Sequence, residues 1–193
     1  MAQAKVLTEA EFKRALAVVA GRRYAQRDRL ALLLTHWAGM RVCEAAGLTW
    51  GQVLDPGGQV REEWRLDSAG TKGSRGRVIY ANSRLRRELS LYLKGISPPL
   101  PHTPVLTTQK ALRDRQGGFS ANTLCQLIIN IYRAAGIAGA SSHSGRRGFI
   151  TALANKAVGV KVIMELAGHR QLGTTQRYIE VTPDQKKQAV ELV

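Results

Sequence analysis

The sequence predicts a single α+β domain, mostly α-helical, with one small antiparallel β-sheet. Three observations lead there. Apolar residues recur at helical spacing in several long segments, most opened by a capping residue and closed near a glycine. One early segment, "VLDPGGQVREEWRLDSAGTKGSRGRVIYAN", breaks that texture with Pro-Gly-Gly and Gly-Ser-Arg-Gly turns between strand-like pieces. Finally, 193 residues with 44% hydrophobic content suffice for one sizeable core, and no repeat or low-complexity linker divides the chain.

The elements follow in order. "TEAEFKRALAVVAG" opens with a capping box, Thr8 with Glu11, then places Phe12, Leu16 and Val19 on one face before Gly21. A second helix runs from about Ala25 to Ala38, with Leu30, Leu33, Leu34 and Trp37 inward and Gly39 at its end. A short helix through "RVCEAAG" follows. Strand-like pieces surround Trp64 and Val78 to Tyr80, with Lys72 in or beside the hairpin turn between them. Helix resumes at Asn82 with Leu85, Leu89 and Tyr92 on one side, and "SPPLPHTPV" is an extended loop. "SANTLCQLIINIYRAAG" is a helix capped by Ser120 and ended by Gly136. Further helices are expected after "SSHSG", from about Val160 to Leu166, and through "TTQRYIE". A last amphipathic piece begins with a Thr182 cap and Pro183 in its first turn.

The charge restricts function more than the fold does. Lys and Arg total 29 against 14 acidic residues, a net charge of +15, which points to a polyanionic partner. Twenty of the bases are arginine, whose planar fork grips phosphate oxygens in pairs. They are spread as Arg22, Arg23, Arg27 and Arg29, then Arg84, Arg86 and Arg87, then Arg113, Arg115, Arg146 and Arg147, so a folded basic surface is expected rather than a detachable tail. Cys43 and Cys125 lack metal-ligand spacing and lie in apolar helical contexts, which predicts buried free thiols. The N-terminal residues lack a signal-peptide core and no apolar run reaches the ~20 residues of a membrane span. A soluble, cytoplasmic protein without membrane partners is expected.

The stretch "SSHSGRRGFITAL" places His143 and Arg146 three residues apart at a helix start, so both can reach one ligand while Phe149 and Leu153 pack inward. A helix start that happens to be charged is the ordinary reading; a phosphate site is the sharper one. Four patterns then stand in order: "GMRVCEAAGL", "TKGSRGRVIY", "HSGRRGFIT" and "LAGHRQLGTTQRYIEV". Together, from about Ala25 onward, they resemble the catalytic domain of the tyrosine recombinases, the phage-integrase family.

The resemblance implies roles. Tyr178 corresponds to the nucleophile that forms a 3′-phosphotyrosine, and Arg41 and Arg146 to the pair holding the non-bridging phosphate oxygens. His143 corresponds to the proton-handling histidine, His169 to the second histidine on the phosphate, and Lys72 to the hairpin lysine that protonates the leaving 5′-oxygen. Spacing alone does not choose between Lys72 and Arg75. Glu44, one turn after Arg41, would orient it, and Arg75, Arg147, Arg170 and Arg177 are candidate DNA contacts. Taken singly, each residue has a bland alternative: a half-buried tyrosine, solvated arginines, an ordinary ion pair for Glu44, a hairpin charge for Lys72, a helix cap for His143 and a loop histidine for His169. His36 and His102 fit no pattern and read as structural. "HSGRR" departs from the family's usual residues, and Ser144 with Gly145 is expected to loosen that helix start.

The implied activity is site-specific recombination of double-stranded DNA through a Holliday junction, on a homo-tetramer assembled on DNA from monomers or weak oligomers, with neither metal nor nucleotide cofactor. About 40 residues precede Arg41, so residues 1–193 are expected to form the catalytic domain alone, without the family's core-binding domain. An accessory DNA-bending protein or partner recombinase would then assist. The tail, residues 182–193, is expected to dock on a neighbouring subunit or on its own domain. Rival readings are a DNA-binding regulator of the same fold, a type IB topoisomerase and a basic RNA-binding protein.

Overall fold

The computed structural model describes residues 4–66, 76–108, 117–178 and 183–191. Helices α1 (Glu9–Ala20), α2 (Ala25–Trp37), α3 (Val42–Gly47) and α4 (Trp50–Val53) precede strands β1 (Glu63–Leu66) and β2 (Arg77–Tyr80). Then come α5 (Ser83–Lys94), α6 (Ala121–Ala134), α7 (Ser144–Asn155), α8 (Val160–Ala167), α9 (Leu172–Gln176) and α10 (Pro183–Val190). β1 and β2 pair antiparallel with Trp64 opposite Ile79, so the expected sheet is present as a two-stranded ribbon.

Local chemistry explains most boundaries. The Thr8 hydroxyl accepts from Glu11 N and the Glu11 carboxylate accepts from Thr8 N, both halves of a capping box. Asn82 and Ser120 cap α5 and α6 through the backbone N–H of Leu85 and Thr123. Gly168 takes φ 62°, ψ 42° to close α8, the left-handed conformation that glycine adopts without a Cβ penalty.

α2 is the central helix. Leu30 to Leu34 and Thr35 are all buried, so its core contact runs around the cylinder rather than along one stripe. Each fully buried leucine contributes about 1.5–3 kcal/mol. α1, α5 and α6 pack about α2, together with Trp50, Trp64 and Ile79. A second, smaller core of Ile150, Ala154, Ile163 and Ala167 joins α7 to α8, with Phe149, Leu153, Val158 and Tyr178 packed against it.

Several expectations are corrected. Cys43 is exposed and Cys125 half-buried, because Val42, Ala45 and Ala46 carry the inward face of α3. The helix through "TTQRYIE" stops at Gln176, so Tyr178 lies in the turn beyond it, its N–H bonded to Thr175 O. Much of the basic surface expected from the sequence is used internally. Arg22 and Arg27 clasp Asp28, which is 1% exposed, while Arg29 pairs with Glu88 and Arg86 with Glu62. Removing a partner from a buried pair of the Asp28 kind costs about 3–5 kcal/mol. No described helix is long and apolar enough to cross a membrane.

His36 is structural, as expected. Its ring stacks on Phe12 at 3.7 Å, and burial pushes its pKa down to about 4. The unfolded chain takes up this proton near pH 6.5, whereas the folded chain resists it, so stability present above pH 6.5 is lost as pH falls toward 4. Between pH 7 and pH 5 the His36 share of the loss should be about 2 kcal/mol. Urea unfolding at the two pH values measures it, and His36→Phe should reduce the difference by that share.

Candidate active site

Three arginines converge on one helix end. The last carbonyls of α8 have no partner within the helix, and three successive ones each receive a guanidinium. Arg77 Nη1 donates to Leu166 O, Arg146 Nη2 to Ala167 O, and Arg41 Nη2 to Gly168 O at 2.7 Å. The partial negative charge at a helix C-terminus favours cations there. On the opposite side, Gly39 O accepts from Arg146 Nη1 at 2.5 Å and Arg77 Nη2 at 3.2 Å. Gly39 itself has φ 57°, which turns the chain out of α2 and delivers Arg41 to the start of α3.

One carboxylate serves two of the three. Glu44 Oε1 accepts from Arg41 Nη1 at 2.7 Å, and Oε2 from Arg77 Nη2 at 2.7 Å and the Arg41 backbone N at 2.6 Å. Burial opposes the Glu44 charge, but Arg77 and then Arg41 outweigh it and hold the carboxyl below its ordinary pKa. Three guanidiniums against one carboxylate leave an excess of positive charge. Burial, then Arg41 and Arg77, drives the Arg146 pKa down to about 9. An anion here would relieve that repulsion.

Arg146 reaches this position because α7 lies very close to α2. A Cβ at Gly145 would overlap Thr35 Oγ1, and one at Gly148 would stand 3.2 Å from His36 Cε1. Gly145 is therefore a contact glycine, and the helix start is tight rather than loosened. Ser144 is fully buried, its hydroxyl accepting from Ser141 N at 3.0 Å. His143 sits at the N-cap with its side chain exposed.

Tyr178 completes the arrangement. Its ring packs on the second core, faces His169 at 5.9 Å between centroids, and lies 5.5 Å from the Arg147 guanidinium carbon. A cavity of about 170 Å³ is lined by Tyr178, His143, Arg146, Arg147, Thr174, Arg177 and Ala4. Arg147 Nη1 donates to Ala4 O at 2.5 Å. His169 Nδ1 meets the buried Thr175 hydroxyl at 2.9 Å. Burial, then Arg146, Arg41 and Arg77, lowers the His169 pKa to about 4, so its ring is neutral at pH 7.

The structure thus gathers Tyr178, His143, Arg146, Arg147 and Arg177 on one cavity, with His169 stacked beside it. Arg41 and Glu44 adjoin through the α8 C-terminus. Arg170 is exposed and does not line the cavity. Lys72 and Arg75 lie outside the described residues. Sequence reasoning missed Arg77 and Thr175. For Arg77 a signal existed: strand alternation places it on the same face as buried Ile79.

A model of the phage integrase family matches residues 5–185. The chain belongs to the phage integrase family. It is similar to the tyrosine recombinases XerA of Pyrococcus horikoshii and Thermococcus kodakarensis, at 33% and 34% identity over 187 and 188 residues. Those alignments cover 97% of this chain but 60% and 62% of the relatives, so the chain spans about three fifths of their length. Among solved structures, a XerA recombinase superposes with a TM-score of 0.73 at 18% identity, covering 100% of this chain and 64% of that one. The Tn1549 transposon integrase, solved in complex with a circular intermediate DNA, gives 0.76 at 18% identity, covering 100% and 67%. The fold expected from the sequence is therefore the fold observed.

Gly145→Ala tests the close approach that seats Arg146. Helix propensity favours alanine, but Thr35 is buried and its hydroxyl is committed to Leu32 O at 2.8 Å, so it cannot yield cheaply. The substitution should lower stability by about 1–3 kcal/mol, read as an earlier urea midpoint at constant slope.

Proposed function

We propose that this chain carries the strand-cleaving centre of a site-specific DNA recombinase, with Tyr178 as nucleophile. One observation carries the reading: Tyr178 opens onto a cavity shared with His143 and three arginines, which has room for a phosphate group. The phenolic oxygen attacks phosphorus, the bond to the 5′-oxygen breaks, and a 3′-phosphotyrosine forms that conserves the phosphodiester energy for rejoining. Arg41 and Arg146 neutralise the charge that builds on the non-bridging oxygens, work done by metal ions in many nucleases. His143, exposed at the cavity rim, takes the phenolic proton. His169, neutral, offers a hydrogen bond to the phosphate from Nε2 in the tautomer where the Thr175 hydroxyl donates to Nδ1. Lys72 supplies the proton to the departing 5′-oxygen.

Double-stranded DNA is the substrate in this reading, and the XerA relatives and the DNA-bound Tn1549 integrase support it. Arg147 and Arg177 at the cavity, Arg170 outside it, and Arg75, which lies outside the described residues, are the proposed backbone contacts. Strand exchange would run on a tetramer, with α10 docking on a neighbouring chain; Val190, 73% exposed on that helix, supports this.

Incubation with a nicked suicide duplex should give an SDS-resistant protein–DNA adduct. Tyr178→Phe should abolish the adduct while DNA affinity stays within about twofold of the parent, since one hydroxyl is removed from a largely electrostatic interface. An adduct that survives sinks the nucleophile assignment. Binding without any adduct would favour a regulator of the same fold, and plasmid relaxation without site preference a type IB topoisomerase. Deleting residues 183–193 should abolish cooperative synapsis, followed by gel mobility, yet spare cleavage at a single site.

A further inference from the structure

Arg77 belongs to no role derived so far, yet it is among the most fully engaged side chains around the site. Its side chain is 9% exposed, against 36% for Arg41. Its three nitrogens make four hydrogen bonds on three separate elements. Nε and Nη2 reach the two oxygens of Glu44 at 3.2 and 2.7 Å, Nη2 also reaches Gly39 O at 3.2 Å, and Nη1 reaches Leu166 O. Arg41 has a different character. It takes one oxygen of Glu44 and Gly168 O, and the rest of its fork is turned toward solvent.

We infer that Arg77 is a positioning residue of the cleavage centre, fixing Arg41 through Glu44 against the C-terminal end of α8 while making no contact with the substrate. The inference rests on the reading of Tyr178 as nucleophile and adds a residue to it. Arg41 holds both Glu44 oxygens from within α3, through Nη1 and its own backbone N. Arg77 grips the same two oxygens from β2, so the carboxylate on which the Arg41 fork leans is fixed from a second element. The same guanidinium ties β2 to the α2–α3 corner and to the α8–α9 turn that carries His169. The turn is shaped to admit it: a Cβ at Gly168 would overlap Arg77 Cδ. Because Arg77 is the first residue of β2, it also anchors the start of that strand. A lysine cannot substitute, since three donors on one point cannot span a carboxylate and two carbonyls on different elements.

Single-turnover cleavage and DNA affinity separate this role from its rivals. Arg77→Met and Arg77→Lys should each slow cleavage by roughly 10- to 100-fold, the scale of misplacing a catalytic group by about an ångström. Kd for the duplex and its salt dependence should stay at the parent values. In an Arg41→Lys background the Arg77 substitutions should cost little more, because the two act as one unit. Thermal unfolding of every variant identifies the folded fraction, and Arg77→Lys, which keeps the charge, covers the case in which Arg77→Met does not fold. A rate per folded molecule equal to the parent's would show a purely structural residue and overturn the inference. A salt slope shallower by about one would show direct phosphate contact and overturn it too. Should the parent chain form no adduct, the Tyr178 reading fails by itself. Arg77 is then decided by the Arg41 Nε–H resonance, which a positioning role requires to shift and broaden in Arg77→Lys and which an unchanged spectrum would contradict.

Discussion

The whole site depends on cations meeting a helix end. Guanidiniums repel one another, and bringing three within a few ångströms needs compensation from fixed negative charge. Here it comes from two sources: the carboxylate of Glu44 and the unpaired carbonyls of Leu166, Ala167 and Gly168. The compensation is incomplete, with three guanidiniums against one carboxylate; burial first, and then the neighbouring arginines, lower the pKa values of Arg146 and His169. An incompletely neutralised cluster of rigidly held donors is what a phosphodiester approaching pentacoordination requires. The donors are oriented beforehand, so the reaction need not reorganise them.

That cluster in turn rests on close backbone packing. Arg146 is 7% exposed, and its guanidinium bridges Gly39 O and Ala167 O, on elements otherwise separated by α7. It can do so only because Gly145 and Gly148 let α7 settle onto Thr35 and His36 of α2. His36 therefore serves the site at a distance: a neutral ring, pressed between Phe12 and the glycine face of α7, keeps charge out of the contact. Residues outside the cavity thus decide where Arg146 stands.

What the sequence could tell followed the range of the interactions. Caps act over three residues, so Thr8 with Glu11, Asn82 and Ser120 were legible as helix starts. The pairing of Arg41 with Glu44 was legible for the same reason. The meeting of Arg41, Arg146, His143 and Tyr178 was not derivable from spacing, and only the resemblance of four motifs to a family brought them together. Arg77 shows the limit clearly. Its partners Glu44 and Leu166 lie 33 and 89 residues away, so strand alternation can place it on the face of Ile79 but cannot name what it meets there. Cys43 failed in the opposite direction, where an apolar neighbourhood in sequence did not translate into an inward helix face.

Tyr178 has a divided allegiance that bears on how the centre works. Its ring is part of the smaller core, with Ile150, Ala154 and Ile163, whereas the large core around α2 excludes it. Free energies of local opening follow the apolar contacts that must be broken, so moving the tyrosine costs less than moving anything attached to α2. The arginines are anchored differently, with Arg146 on α7, Arg41 on α3 and Arg77 on β2 all fastened to the end of α8. The arginine cluster is therefore tied to both cores, and Tyr178 to the lesser one. If Tyr178 is the nucleophile proposed above, that division suits a centre that bonds to DNA and later releases it: the arginine cluster stays fixed while the attacking group is held by the weaker packing.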